Sequence, residues 1–221
     1  MRDKVIISAA RTPVGSFLGS LSTVPATKLG GIVIEEAVKR AGITKESVDE
    51  VIMGCVLPAA QGQAPARQAT IAAGLPYSTS AMTINKVCGS GLKSVMLASQ
   101  AVATGDSDVV VAGGMENMSL GPYLLAKART GFRMGNGALE DGMIKDGLWD
   151  PYENAHMGSF ADLCARDRGF SREEQDAFAT ESYQRAQRAQ KEGDLADEIV
   201  PVSVPLPKGK EQVVDKDEEP G

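Results

Sequence analysis

Residues 85 to 91 read Asn-Lys-Val-Cys-Gly-Ser-Gly, and Cys88 is one of only three cysteines in 221 residues. It falls between a β-branched run ending at Val87 and an apolar segment with helical spacing that opens at Leu92. A cysteine at such a corner stands at the carboxyl end of a strand, where ligands and chemistry collect in open α/β sheets. The helix behind it aims unpaired amides and about half a positive charge at the sulfur, which favours a thiolate. Gly89 and Gly91 clear side chains from around the sulfur, so a bulky acyl group can approach the backbone. The same amides would stabilise the oxyanion formed when a thiolate attacks a carbonyl. The chemistry on offer is acyl transfer through a thioester. A buried structural cysteine beside a tight turn is the alternative, and the corner alone leaves both open.

Two further cysteines and one histidine complete the reactive inventory. Cys55 lies mid-strand and Cys164 on the apolar face of a helix pattern, so both read as core residues. His156 is the single histidine, set in Asn-Ala-His-Met-Gly behind a glycine-rich stretch. Pairing it with Cys88 as base and nucleophile requires a distance that sequence spacing does not supply.

The elements that must position Cys88 alternate. Lys4 to Ala9, Val51 to Leu57, Ala81 to Val87 and Asp108 to Ala112 read as strands. Between them, Ala26 to Ala41, Pro65 to Ala73 and Leu92 to Thr104 carry helical spacing, with Gly42 and Gly74 as stops. This order predicts an α/β fold, a mostly parallel mixed sheet with helices on both faces. The helix from Leu92 is apolar nearly all round, which predicts burial on more than one side. From about Ser119 the pattern breaks. Residues 121 to 155 suit a long functional or interface loop. Met157 to Arg168 reads as a helix, and Ser171 with Glu174 forms a capping box for one running to Glu192. Glu198 to Val204 reads as an edge strand interrupted by Pro201. Hence an α/β domain over 1–118 and a loop-and-helix region over 119–221, ending in an acidic run, 215–221, that reads as a solvated tail or an interrupted loop.

Composition narrows the class. The chain is 43% hydrophobic and 24% charged, with a formal net charge of -6, which argues against a nucleic-acid surface. No apolar stretch approaches the ~18 residues of a membrane helix, and the amino terminus lacks a signal-peptide layout. Three scattered cysteines predict no disulfide framework and a cytoplasmic location. One histidine and no close cysteine pair leave no zinc site.

Together the segments ISAARTPVGSF (7–17), GQAPARQA (62–69), NKVCGSGLKSV (85–95), VAGGMENMS (111–119), MIKDGL (143–148), NAHMG (154–158), SREEQDAFA (171–179) and DEIVPV (197–202) resemble a thiolase along the whole chain. The nearest branch is the acetyl-CoA acetyltransferases. The resemblance implies that Cys88 carries an acetyl group as a thioester, with its backbone amide in an oxyanion hole. A second acetyl-CoA, deprotonated at its α-carbon, then attacks to give acetoacetyl-CoA and coenzyme A, and thiolysis is the reverse. It nominates His156, Met157 and Leu148 as acyl and pantetheine pocket residues, so His156 is a lining residue and not the base. In potassium-activated relatives a tyrosine in a similar context touches the ion and coenzyme A, which nominates Tyr183. No other cofactor or metal is implied. Relatives are nearly twice as long, and their second half supplies an activating histidine, a second cysteine and an asparagine-held water. The resemblance therefore implies that this chain is an amino-terminal half, partnered by a sister domain in a homodimer or homotetramer. Many relatives carry Thr-Ala-Glu where this chain has Ser159, Phe160 and Ala161. A reading of another class stays open: a non-catalytic coenzyme A-binding or scaffolding subunit.

Overall fold

The computed structural model of the protein describes residues 3–219, which divide into two compact units, 3–120 with 197–219 and 121–196. The first unit holds the alternating elements. Helix α1 (Ala26–Ala41) leaves through Gly42, whose φ of 66° lets its amide close onto Lys39 O. Strand β1 (Glu50–Gly54), helix α2 (Pro65–Ala72), strand β2 (Ser80–Ile84), helix α3 (Ser90–Thr104) and strand β3 (Val110–Gly114) follow. The strands form a parallel sheet in the order β2-β1-β3, with Gly54 level with Ile84 and Gly114. Parallel neighbours need crossover helices, and these take both faces. Val51 and Met53 join Ile34 and Val38 of α1 and Ala66 and Ala69 of α2 in the main core. Ile52 and Gly54 alternate to the opposite face, where α3 lies.

Side chains decide where the strands stop. The Glu116 carboxylate accepts from Val56 N (2.7 Å) and Leu57 N (3.2 Å), so the ladder of β1 ends at Gly54 and not at Leu57. The Asp49 carboxylate accepts from Asp108 N (2.7 Å) and Val109 N (2.9 Å), which delays β3 to Val110. These amides, Val109 first, hold the Asp49 carboxyl below its usual range.

One expectation fails in this unit. The run from Lys4 to Ala9 forms no strand, and Val5 and Ile6 are 81% and 82% exposed. It lines a cavity of about 630 Å³ with α1, α3 and the outer edge of β3, an edge that pairs with no strand among the described residues. Apolarity gives a segment a reason to be buried but supplies no partner. Helix α3 buries only Ser90 and Ser94 and leaves Leu92, Val95 and Met96 exposed, the apolar face that its all-round pattern marks for cover by a further layer of protein.

A second, smaller core closes the unit. Strands β8 (Val202–Leu206) and β9 (Lys210–Val214) form an antiparallel hairpin, and Val202, Val204 and Val214 pack against Leu21, Val24 and Leu29. The strand expected from Glu198 starts late because Pro201 has no amide to give and Val200 N instead bonds Arg11 O (2.8 Å). The acidic run is no solvated tail through its described residues. Asp217 bonds the Arg11 guanidinium at 2.7 and 3.0 Å, and Glu218 accepts from Ser16 N and Ser20 N. Residues 197–219 therefore belong to the first unit.

The second unit contains short ladders, β4 (Tyr123–Leu124) with β5 (Glu140–Asp141) and β6 (Trp149–Asp150) with β7 (Ala155–His156), then helices α4 (Met157–Arg168) and α5 (Arg172–Glu192). Both bonds of the Ser171–Glu174 capping box are present. Neither helix buries a residue, and Cys164 is exposed, against its reading as core. Among the described residues no helix is long and apolar enough to cross a membrane.

Candidate active site

Cys88 occupies the last position before Gly89, the N-cap of α3, at the carboxyl ends of the parallel strands, and it is exposed. The approach of α3 to the sheet depends on missing side chains. A Cβ on Gly54 would lie 2.5 Å from Ser90 Cβ and 2.7 Å from Ser90 C, and one on Gly114 would lie 3.4 Å from Gly91 Cα. Glycine on β1 and β3 thus lets the helix end seat directly on the strand ends. Within the corner, the amides of Gly89 and Ser90 donate to Lys86 O (3.1 Å) and Val87 O (3.0 Å).

Polar side chains brace this corner, and none of them was singled out from sequence. Asn85 Oδ1 accepts from Val87 N (2.9 Å), and its Nδ2 donates to Val56 O (3.3 Å). Ser90 Oγ accepts from Lys86 N (2.8 Å) and donates to Val87 O (2.6 Å). Ser94 Oγ donates to Gly91 O (2.6 Å) and Gly113 O (2.8 Å), tying helix to strand. Beyond β3, Asn117 Nδ2 donates to Leu21 O, Ser22 O and Val24 O, which fixes the chain before α1. The legible signal was small polar residues interleaved with glycine at the end of an apolar strand.

The remaining nominated residues lie in the second unit. Leu148, half-buried, ends a π-helical turn (Ile144–Leu148), and the next residue, Trp149, pairs with His156. His156 is also the N-cap of α4, its Nδ1 accepting from Gly158 N at 3.0 Å. An imidazole that accepts at Nδ1 carries its proton on Nε2. Met157, exposed, opens α4, so Leu148, His156 and Met157 gather around one short ladder. Tyr183 stands apart from that ladder in sequence, exposed on α5.

An exposed cysteine at a helix N-terminus over a parallel α/β sheet is the arrangement of this unit, and comparison with known proteins says which family carries it. The chain matches the family described as thiolase, N-terminal domain, over residues 4–221, and it belongs to that family. It is 57% identical over 209 residues to an acetyl-CoA acetyltransferase of Cupriavidus necator, covering 95% of this chain and 53% of that protein. A mitochondrial acetyl-CoA acetyltransferase of Danio rerio is 55% identical over 219 residues, covering 99% of this chain and 51% of the relative. A probable acetyl-CoA acyltransferase of Staphylococcus aureus is 51% identical, covering 99% and 56%. The chain spans about half the length of the curated relatives it matches.

Proposed function

We propose that this chain contributes the acyl-carrying nucleophile of an acetyl-CoA acetyltransferase. The observation that carries the reading is the exposed Cys88 at the amino end of α3, in a chain of the thiolase family. Cys88 Sγ attacks the thioester carbonyl of acetyl-CoA, the carbonyl oxygen takes the negative charge, and the tetrahedral adduct collapses with loss of coenzyme A thiolate. The expected oxyanion donor is the Cys88 amide, since those of Gly89 and Ser90 are taken within the turn. A second acetyl-CoA, as its enolate, attacks the acetyl-Cys88 carbonyl. The new carbon–carbon bond yields acetoacetyl-CoA and returns the thiolate. A thioester acidifies its own α-carbon, so the scheme is written without metal or redox cofactor.

Leu148, His156 and Met157 are proposed to line the acyl and pantetheine pocket, with Tyr183 a candidate contact for coenzyme A or a potassium ion. The proton-transfer groups are proposed to come from a carboxy-terminal sister domain of the kind the longer relatives have room for. The assembly is proposed to be a homodimer or homotetramer in the cytoplasm, with 121–155 as the tetramer contact.

Incubation with acetyl-CoA followed by intact-mass and peptide analysis tests the reading. One acetyl group on Cys88, lost in Cys88→Ala and kept in Cys164→Ala, is the expected result. No adduct would leave a coenzyme A-binding subunit without chemistry.

A further inference from the structure

Valine is an unfavourable residue for the backbone that precedes the nucleophile. Val87 has φ of 46°, in the left-handed region. It is the only β-branched residue at positive φ among those described. Such a conformation is strained for a β-branched residue and persists only where the surroundings hold it. Here three side-chain hydrogen bonds do so, beside the backbone bonds from Gly89 N to Lys86 O and from Ser90 N to Val87 O. Asn85 Oδ1 takes the Val87 amide, Ser90 Oγ donates to the Val87 carbonyl, and the same hydroxyl accepts from the Lys86 amide. Ser90 is buried, and its Cβ faces Gly54 with no room for a methyl group on the strand. Its hydroxyl therefore grips both sides of the Lys86–Val87 turn from a fixed point.

We propose that Ser90, assisted by Asn85, is a positioning residue that holds the strained Val87 turn and thereby fixes the direction in which Cys88 leaves the sheet. The role rests on Cys88 being the nucleophile. Removing the hydroxyl lets Val87 relax toward negative φ and swings the next side chain. A misplacement of ~1 Å costs on the order of a hundredfold in rate. Ser94 supplies the comparison. It is one turn further along the same helix and equally buried, but it ties helix to strand and makes no bond to the Val87 turn.

The test is single-turnover acetylation of Cys88 by acetyl-CoA in the protein in its native full form, with thermal denaturation alongside. Ser90→Ala is expected to lower the maximal acylation rate roughly ten- to a hundredfold, with the half-saturating acetyl-CoA concentration within about twofold. Ser94→Ala is expected to lower the melting temperature while its rate stays within about threefold. Adding Val87→Gly to Ser90→Ala is expected to restore much of the rate, because glycine holds positive φ without cost. Should Ser90→Ala fail to fold, Asn85→Ala carries the same expected loss, with Asn85→Asp as the variant that keeps the acceptor and the rate. An unchanged rate in Ser90→Ala, an equal loss in Ser94→Ala, or no rescue by glycine would overturn the positioning role alone. Absence of any adduct in the unsubstituted protein would overturn the nucleophile and the positioning role together.

Discussion

Cys55 is 1% exposed, with its sulfur 3.7 Å from Glu116 Oε1 and 3.4 Å from Gln61 Nε2. Burial first, and then the neighbouring carboxylate, push its thiol up to about 11. At about pH 8 it is protonated as well as inaccessible, so a thiolate-selective reagent has no route to it. The folded 221-residue chain treated with iodoacetamide is expected to take two adducts, on Cys88 and Cys164, and a third only after denaturation. Peptide mass spectrometry reads this, and rapid labelling of Cys55 would contradict it. The three cysteines also mark how far residue types carry. Cys55 was legible as core because an apolar strand run surrounds it. Cys164 was not, because an amphipathic pattern says which face of a helix prefers burial and nothing about whether a partner covers it.

Helices were the most legible elements because their ends are written in local chemistry. Gly42 stops α1 and the Ser171–Glu174 box starts α5 through bonds that close within a few residues. Strand ends were less so. They depend on Asp49, Glu116 and Arg11, whose partners at those ends lie 59 to 189 residues away in sequence. Two expectations belong here. Gly54→Ala places a methyl group 2.5 Å from Ser90 Cβ and against α3 backbone, where no flexible side chain can yield. We expect a loss of about 1–3 kcal/mol in urea denaturation and a drop in Cys88 acylation, as α3 is levered off the strand ends. The second concerns the Arg11–Asp217 clamp. The Arg11 guanidinium holds the Asp217 carboxyl below the usual carboxylate range. A depressed carboxylate adds stability that is present above its unfolded value of ~3.9 and lost as pH falls through the folded one. Asp217→Asn should therefore cost about 1–2 kcal/mol at neutral pH, discounted for partial exposure, and nothing once both states are protonated. A deficit that persists unchanged at low pH would rule the clamp out as its source.

The whole chain exposes 14472 Å² of solvent-accessible surface. Two separate compact domains of these lengths would expose only about 11,600 Å². Part of the surplus is apolar. Leu92, Val95 and Met96 of α3 stand exposed, and so do Val5, Ile6 and Ile7 beside the edge of β3 that pairs with no strand among the described residues. Apolar surface left in water costs roughly 25 cal/mol per Å², and patches of this kind drive association. Relatives matched along this whole chain are about twice as long, which leaves them ample polypeptide to cover such faces. The 221-residue chain produced alone is therefore expected to self-associate, eluting well above its 23.2 kDa mass in size-exclusion chromatography with light scattering. Leu92→Lys with Met96→Glu should shift it toward monomer, because both side chains sit on the open face and contribute little to either core. In a protein of the relatives' length, where we propose that further polypeptide covers this face, the same pair should instead destabilise the fold. A monodisperse monomer of the unsubstituted chain, unaffected by the two charges, would show that α3 does not drive association.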